Sequence, residues 1–254
     1  MHAYNANLIS LPLLPVVLAQ GIWVRRRTPR LPDAEGQAWG SIAGTGAGIN
    51  LVLLGESTVA GVGASTHQGA LACKTATFLS RLIDRTVNWR AIGRSGITAR
   101  ETLTELAPRL EGTRADVAVI VLGVNDVLHF TSSRRWAREI SLLISAIRGS
   151  CGNIPVVLAG VPQMNHFPAL PNPLGFVLGL QSSRLDEVTC GLAASMDGVL
   201  YSGVDLKNRQ DLFSVDGFHP SAAGYEFWGD RLAATAAPLF GKISRGWNAD
   251  QSRK

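Results

Sequence analysis

Continuous apolar runs alternate along the middle of the chain with segments whose apolar positions recur at helical spacing. Ile49–Leu54, Val87–Ile92, Val117–Leu122, Ile154–Ala159 and Val199–Tyr201 read as strands. Gly69–Arg85, Thr98–Arg109, Ser133–Arg148, Phe176–Ser195 and Ala222–Ala236 read as helices between and after them. The unbroken run Val117-Ala118-Val119-Ile120-Val121-Leu122 suits a parallel strand covered on both faces. Trp136, Ile140, Leu143, Ile144 and Ile147 make one apolar helical stripe, taken as core. Strand–helix alternation with right-handed crossovers predicts an α/β fold. The expected architecture is a doubly wound, flavodoxin-like, five-stranded parallel sheet in three α/β/α layers.

The pattern changes at both ends. Leu8–Val24 is an apolar stretch interrupted by Pro12 and Pro15, with Trp23 near its edge and Arg25, Arg26 and Arg27 directly after it. Two readings stand side by side: a membrane anchor with a basic flank, or a helix packed on the domain. If the run spans, the arginines stay inside and leave the body on the cytoplasmic face. A cleaved signal peptide fits less well, because the charges follow the apolar region and no clear Ala-x-Ala site is present. Residues 28–48 are rich in Pro, Gly, Ala and Ser without a period and read as a linker. The expected organisation is thus an apolar segment at 1–27, a linker at 28–48, one catalytic domain at 49–240 and a basic tail at 241–254.

Charge sharpens that division. The net charge is +5, of which residues 1–48 carry +2 and residues 241–254 carry +3. The body, with 16 basic and 16 acidic residues, sums to zero. A nucleic-acid enzyme would carry its basic surface on the folded body, so nucleic acid is not an expected partner. An anionic membrane surface, met through Arg25, Arg26 and Arg27, is the better candidate. Cys73, Cys151 and Cys190 are odd in number and without CxxC spacing, which suits buried thiols. No HExxH or similar spacing occurs, so neither a metal nor another cofactor is expected.

Chemistry-bearing residues fall at the ends of the expected strands. Ser57 follows the first in Leu-Leu-Gly-Glu-Ser-Thr, and Arg94-Ser95-Gly96 follows the second. Gly123-Val124-Asn125-Asp126 follows the third, and Ser-Val-Asp-Gly-Phe-His-Pro places Asp216 and His219 three apart before the last helix. Taken singly, Ser57, Asn125-Asp126 and the Asp216–His219 pair each read better as a helix cap or a turn. In an open α/β sheet, however, sites form outside the carboxyl ends of the strands, where these four converge.

Gly55-Glu56-Ser57, Arg94-Ser95-Gly96, Gly123-x-Asn125-Asp126 and Asp216-x-x-His219-Pro220, in that order, resemble the blocks of the SGNH (GDSL-type) hydrolase family of esterases and lipases. The resemblance covers most of residues 49–237. It implies that Ser57 is the nucleophile, His219 its base and Asp216 the group that orients the imidazole. It also implies an oxyanion hole from the Ser57 and Gly96 N–H groups and the Asn125 side-chain amide. The residue types suit these roles. A serine hydroxyl needs an adjacent base, histidine titrates near neutrality, and a tetrahedral oxyanion needs fixed donors. Glu56 departs from the family's usual Asp and is expected to alter how the turn is tied down. The Gly-x-Ser-x-Gly elbow of α/β-hydrolases is absent, because Val59 holds its last position. Among the other histidines, His129 lies close enough to Asn125 in sequence to border the pocket.

The loop after the fourth strand, 161–180, is rich in Pro, Met, Phe and Leu. Met164, Phe167, Leu170 and Phe176 are the candidates for an apolar acyl-binding wall; packing over the sheet is the alternative. The leading expectation is a serine esterase working through an acyl-enzyme without a cofactor. Acyl transfer or thioester hydrolysis at the same site, or a membrane-tethered non-catalytic binder, are the alternatives.

Overall fold

The structure is a computed structural model, and it describes residues 14–241. The expected basic tail and the first part of the apolar N-terminal run lie outside those residues. Helix α1 (Leu14–Arg27) is followed by the short strand β1 (Trp39–Ile42) and the long strand β2 (Gly46–Gly55). The single turn α2 (Ser57–Ala60) leads to α3 (Leu71–Ile83) and β3 (Arg85–Gly93). Then come α4 (Ala99–Glu101), β4 (Val117–Val121), α5 (Val124–Leu128) and α6 (Ser133–Cys151). The chain closes with β5 (Val156–Ala159), α7 (Leu174–Ser195), β6 (Val199–Ser202) and α8 (Ala222–Ala236).

One sheet runs in the order β1-β3-β2-β4-β5-β6. The last five strands in that order are parallel, and β1 is antiparallel to β3. Without β1, this is the doubly wound flavodoxin-like order. The fold class is as expected, with six strands in place of five. The segment expected as a linker supplies the extra one: Trp39 faces Arg90 and Ile42 faces Val87 along the sheet edge. Only four residues long and partly exposed, β1 lacks the apolar run that marks an interior strand.

Alternation along β2 assigns its side chains to two cores. Val52 and Leu54 enter one with Ile120, Trp136, Ile140 and Leu185, under α6 and α7. Leu51 and Leu53 enter the other with Val119, Leu79, Tyr225 and Leu232, under α3 and α8. Period two on a strand covered on both faces therefore gives the three layers. Ser132 accepts from Arg135 N and Ser221 from Gly224 N, so each of these hydroxyls caps a helix start. The helix expected at 98–109 begins with a capping box between Thr98 and Glu101. It then widens over Thr102–Leu106 and tightens over Ala107–Leu110, where Pro108 brings no N–H to a regular ladder.

Two glycines let the strands reach the site. A Cβ on Gly93 would lie 2.4 Å from Ala60 N, so glycine here lets the end of β3 touch the turn after β2. Gly123 has φ +133° and begins the turn after β4.

Candidate active site

The strand order reverses between β2 and β4, which lie side by side while their crossovers leave in opposite directions. Ser57 and Asn125 follow the carboxyl ends of these two strands. Ser57 opens α2, the single turn in which Val59 N and Ala60 N donate to Glu56 O. His219 comes from the loop before α8. Ser214 N donates to His219 O, and Gly217 N donates to Ser214 O, which closes the loop on itself.

Three side chains form one hydrogen-bonded line. His219 Nε2 is 3.1 Å from Ser57 Oγ, and His219 Nδ1 is 2.6 Å from Asp216 Oδ2. The other Asp216 oxygen accepts from Phe218 N at 2.9 Å and His219 N at 3.0 Å. Burial pushes the Asp216 carboxyl up, but the bonds from the His219 side chain and these two N–H groups outweigh it. The carboxyl is thereby held below its usual range, ionised beside the imidazole.

Glu56 ties the Ser57 turn to the Asn125 turn. Its Oε1 accepts from Val124 N and its Oε2 from Asn125 N, each at 3.0 Å. The Asn125 side-chain amide donates to the same Oε2 and also to Ile97 O at 3.1 Å. Burial raises the Glu56 carboxyl to about 7 despite these donors, with Asp126 adding a like charge. Asp126 makes the second tie: it accepts from Ala99 N at 2.9 Å and Thr131 Oγ1 at 3.0 Å. Burial raises its carboxyl too, against the pull of those bonds. Through Ile97 and Ala99, the segment just after Gly96 is fastened to the Asn125 turn at two points. Gly96 itself is exposed, with φ +78°. His129 Nδ1 lies 2.7 Å from Asn125 O, and the residue is exposed at the end of α5.

A cavity opens beside Ser57 and His219. Phe167, Val204, Leu206, Leu212, Phe213 and Phe218 supply its apolar lining. Phe167 meets Phe213 and Phe218 edge to face, at 5.1 and 5.2 Å between ring centres. Of the loop residues singled out in the sequence, only Phe167 lines this cavity. Met164 and Leu170 are buried in the core under α7, and Phe176 is half exposed on the outside of α7. Further lining comes from Val204, Leu206, Leu212 and Phe213 ahead of the His219 loop, from Phe218 within it, and from Phe227 and Trp228 on α8. They form no continuous apolar run in sequence, and their placement beside His219 reveals them. Among the described residues, no group of three or more His, Cys, Asp or Glu side chains is placed to hold a metal ion.

A doubly wound sheet with a Ser–His–Asp line at its switch point and an Asn at the neighbouring strand end is the arrangement expected of the SGNH class. The chain belongs to the GDSL-like lipase/acylhydrolase family, whose model matches residues 53–227. It is 23% identical over 191 residues to a GDSL-like esterase of Mycobacterium tuberculosis, covering 72% of this chain. The chain spans 60% of that relative's length. Among solved structures it resembles TesA, with a TM-score of 0.62 at 20% identity over 75% of this chain and 99% of the other. It also resembles the psychrotrophic esterase EstA from Pseudoalteromonas sp., with a TM-score of 0.58 at 16% identity over 75% and 97% of the two chains. A carbohydrate esterase of family 3 from Talaromyces cellulolyticus gives 0.56 at 13% identity over 76% and 98%. At these identities, the structural likenesses establish the shared fold.

Proposed function

We propose that this chain hydrolyses carboxylic esters through an acyl-enzyme, with Ser57 as nucleophile, His219 as general base and acid, and Asp216 as the orienting group. The observation that carries the reading is the continuous line Ser57 Oγ–His219 Nε2, His219 Nδ1–Asp216 Oδ2, at 3.1 and 2.6 Å.

In the first half-reaction, Ser57 Oγ attacks the ester carbonyl carbon as its proton passes to His219 Nε2. The carbonyl π pair moves to oxygen, giving the tetrahedral oxyanion. Collapse breaks the bond to the alcohol oxygen, which takes the proton from His219. A water then repeats the sequence on the acyl-serine and releases the carboxylic acid. The ionised Asp216 stabilises the imidazolium that forms in each half.

Ser57 N, Gly96 N and the Asn125 amide are the oxyanion donors in this reading. In the unliganded site the two N–H bonds of Asn125 Nδ2 go to Glu56 and Ile97 O. Glu56 keeps its bond, and the second N–H passes from Ile97 O to the oxyanion as charge develops. Glu56 is thus a positioning residue. The phenylalanine- and leucine-lined cavity supports an apolar acyl group, and the loop from Val161 contributes Pro162 and Phe167 to its wall.

Hydrolysis of p-nitrophenyl acetate, butyrate and octanoate by the wild type and Ser57→Ala tests this, together with labelling by a fluorophosphonate. The expected result is turnover and labelling that both disappear in the variant. A folded wild type that neither turns over the esters nor takes the label would overturn the reading.

A further inference from the structure

Helix α1 is held on the body by one face only. Val17, Gln20 and Val24, spaced three and four apart, face inward. Val17 and Val24 join the core under α6 and α7. The Gln20 amide donates to Asn172 O at 2.7 Å and accepts from Leu174 N at 2.9 Å. The second bond satisfies a first-turn N–H of α7 that has no partner inside that helix. This clamp fixes the rotation of α1 about its own axis.

That rotation turns large apolar side chains outward. Val16, Leu18, Ile22 and Trp23 are each between 47% and 58% exposed, against the usual pattern for such residues on a short surface helix. Arg25, Arg26 and Arg27 follow at the carboxyl end, all exposed, with the Arg27 guanidinium 5.5 Å from the Trp23 ring centre. Phe176, two residues beyond the Gln20 clamp, adds a half-exposed ring on α7, and Leu180 stands one turn further on. Over its described residues the helix is too short to cross a bilayer. Its 14 residues reach about 21 Å, against a hydrocarbon core of about 30 Å. Among the described residues, no helix is long and apolar enough to do so.

We propose that the outward face of α1 is a docking surface for an anionic lipid bilayer, which the protein lies on and does not span. Apolar side chains ending in a triple arginine with an interfacial tryptophan fit the acyl boundary and the headgroup layer at once. Charge complementarity selects the lipid: each arginine near an anionic surface adds attraction, and a neutral surface offers none. The apolar run also extends upstream in sequence to Leu8. Phe167 in the cavity wall and Asn172 under the Gln20 clamp are five residues apart, a chain reach of at most about 18 Å. The docking helix and the cavity are therefore joined by one short loop. The inference concerns binding alone and does not rest on the hydrolase reading.

The test is co-sedimentation of the full chain with vesicles, either of phosphatidylcholine or of phosphatidylcholine and phosphatidylglycerol at three to one, in low salt. The expected result is partition onto the anionic vesicles only, reversed by half-molar salt. Changing Arg25, Arg26 and Arg27 together to Gln should weaken it roughly 100-fold, and Ile22→Ser about tenfold or more. Both variants leave the inward face untouched, and far-UV circular dichroism checks their folding. The salt reversal reads the same claim on the wild type alone. No partition onto anionic vesicles, or equal partition by the arginine variant, would overturn the proposal. So would a wild-type dimer that Ile22→Ser converts to monomer, since a second copy would then cover the face.

Discussion

Replacing Glu56 with Gln should remove a pH dependence of stability that the wild type carries. Burial lifts this carboxyl from 4.5 to about 7 in the folded chain, so folding favours its protonated form. The stabilising contribution is complete below pH 4.5 and is lost as pH rises through 7, because the unfolded chain releases the proton first. Across that whole window the loss is about 3.4 kcal/mol, and between pH 5 and pH 8 it is about 2.5 kcal/mol. Gln cannot ionise and contributes no slope. It places an N–H₂ group where one carboxylate oxygen now accepts, so Val124 N or the Asn125 pair loses its acceptor, at a cost of about 1–3 kcal/mol. Urea unfolding of both proteins at pH 5, 6, 7 and 8, followed by tryptophan fluorescence, measures the gap between them. The wild type should hold its largest advantage at pH 5 and give up about 2.5 kcal/mol of it by pH 8. A gap that stays constant or widens with pH would refute the reasoning. It would mean that the three converging N–H donors outweigh burial and keep Glu56 ionised throughout.

Asp216→Asn should lower kcat about 10⁴-fold with little change in KM, because an amide N–H facing Nδ1 leaves the proton on Nε2, pointing at Ser57. Steady-state kinetics on a soluble p-nitrophenyl ester reads this, and a loss of less than tenfold would contradict the assigned role. Phe167→Ala opens the cavity wall against Phe213 and Phe218. The ratio of kcat/KM for octanoate over acetate should then change by about tenfold; an unchanged profile would remove Phe167 from the acyl site.

The parallel strands and the switch point were legible because a strand buried on both faces must be apolar at successive positions, as in Val117–Val121. The Ser57–His219–Asp216 line and Asn125 beside it were legible because each of the four residues follows a recognisable strand or precedes a capped helix. What escaped was set by tertiary contacts. Trp39–Ile42 becomes a strand only because β3 offers an open edge, and nothing in Trp-Gly-Ser-Ile carries a period. Met164 and Leu170 have the composition of a binding wall, yet their loop turns them into the core under α7. Phe213 and Phe218 belong to no periodic apolar pattern in sequence and reach the cavity because the closed loop around His219 folds them there. The N-terminal run posed an alternative between anchor and packed helix. The Gln20 clamp shows that α1 is packed, while the outer half of the same helix remains uncovered.

The strand β1 bears on where this protein can be shortened. Starting the chain at residue 49, where the body begins in the sequence pattern, would strip the partner from Val87–Arg90 and leave a row of unanswered amides along β3. It would also uncover Trp89, which lies beneath Gly40. An open parallel edge with a bared indole invites another chain to pair there. A trimmed version intended to stay monomeric should therefore begin upstream of Ala38, whose carbonyl already accepts from Ala91 N.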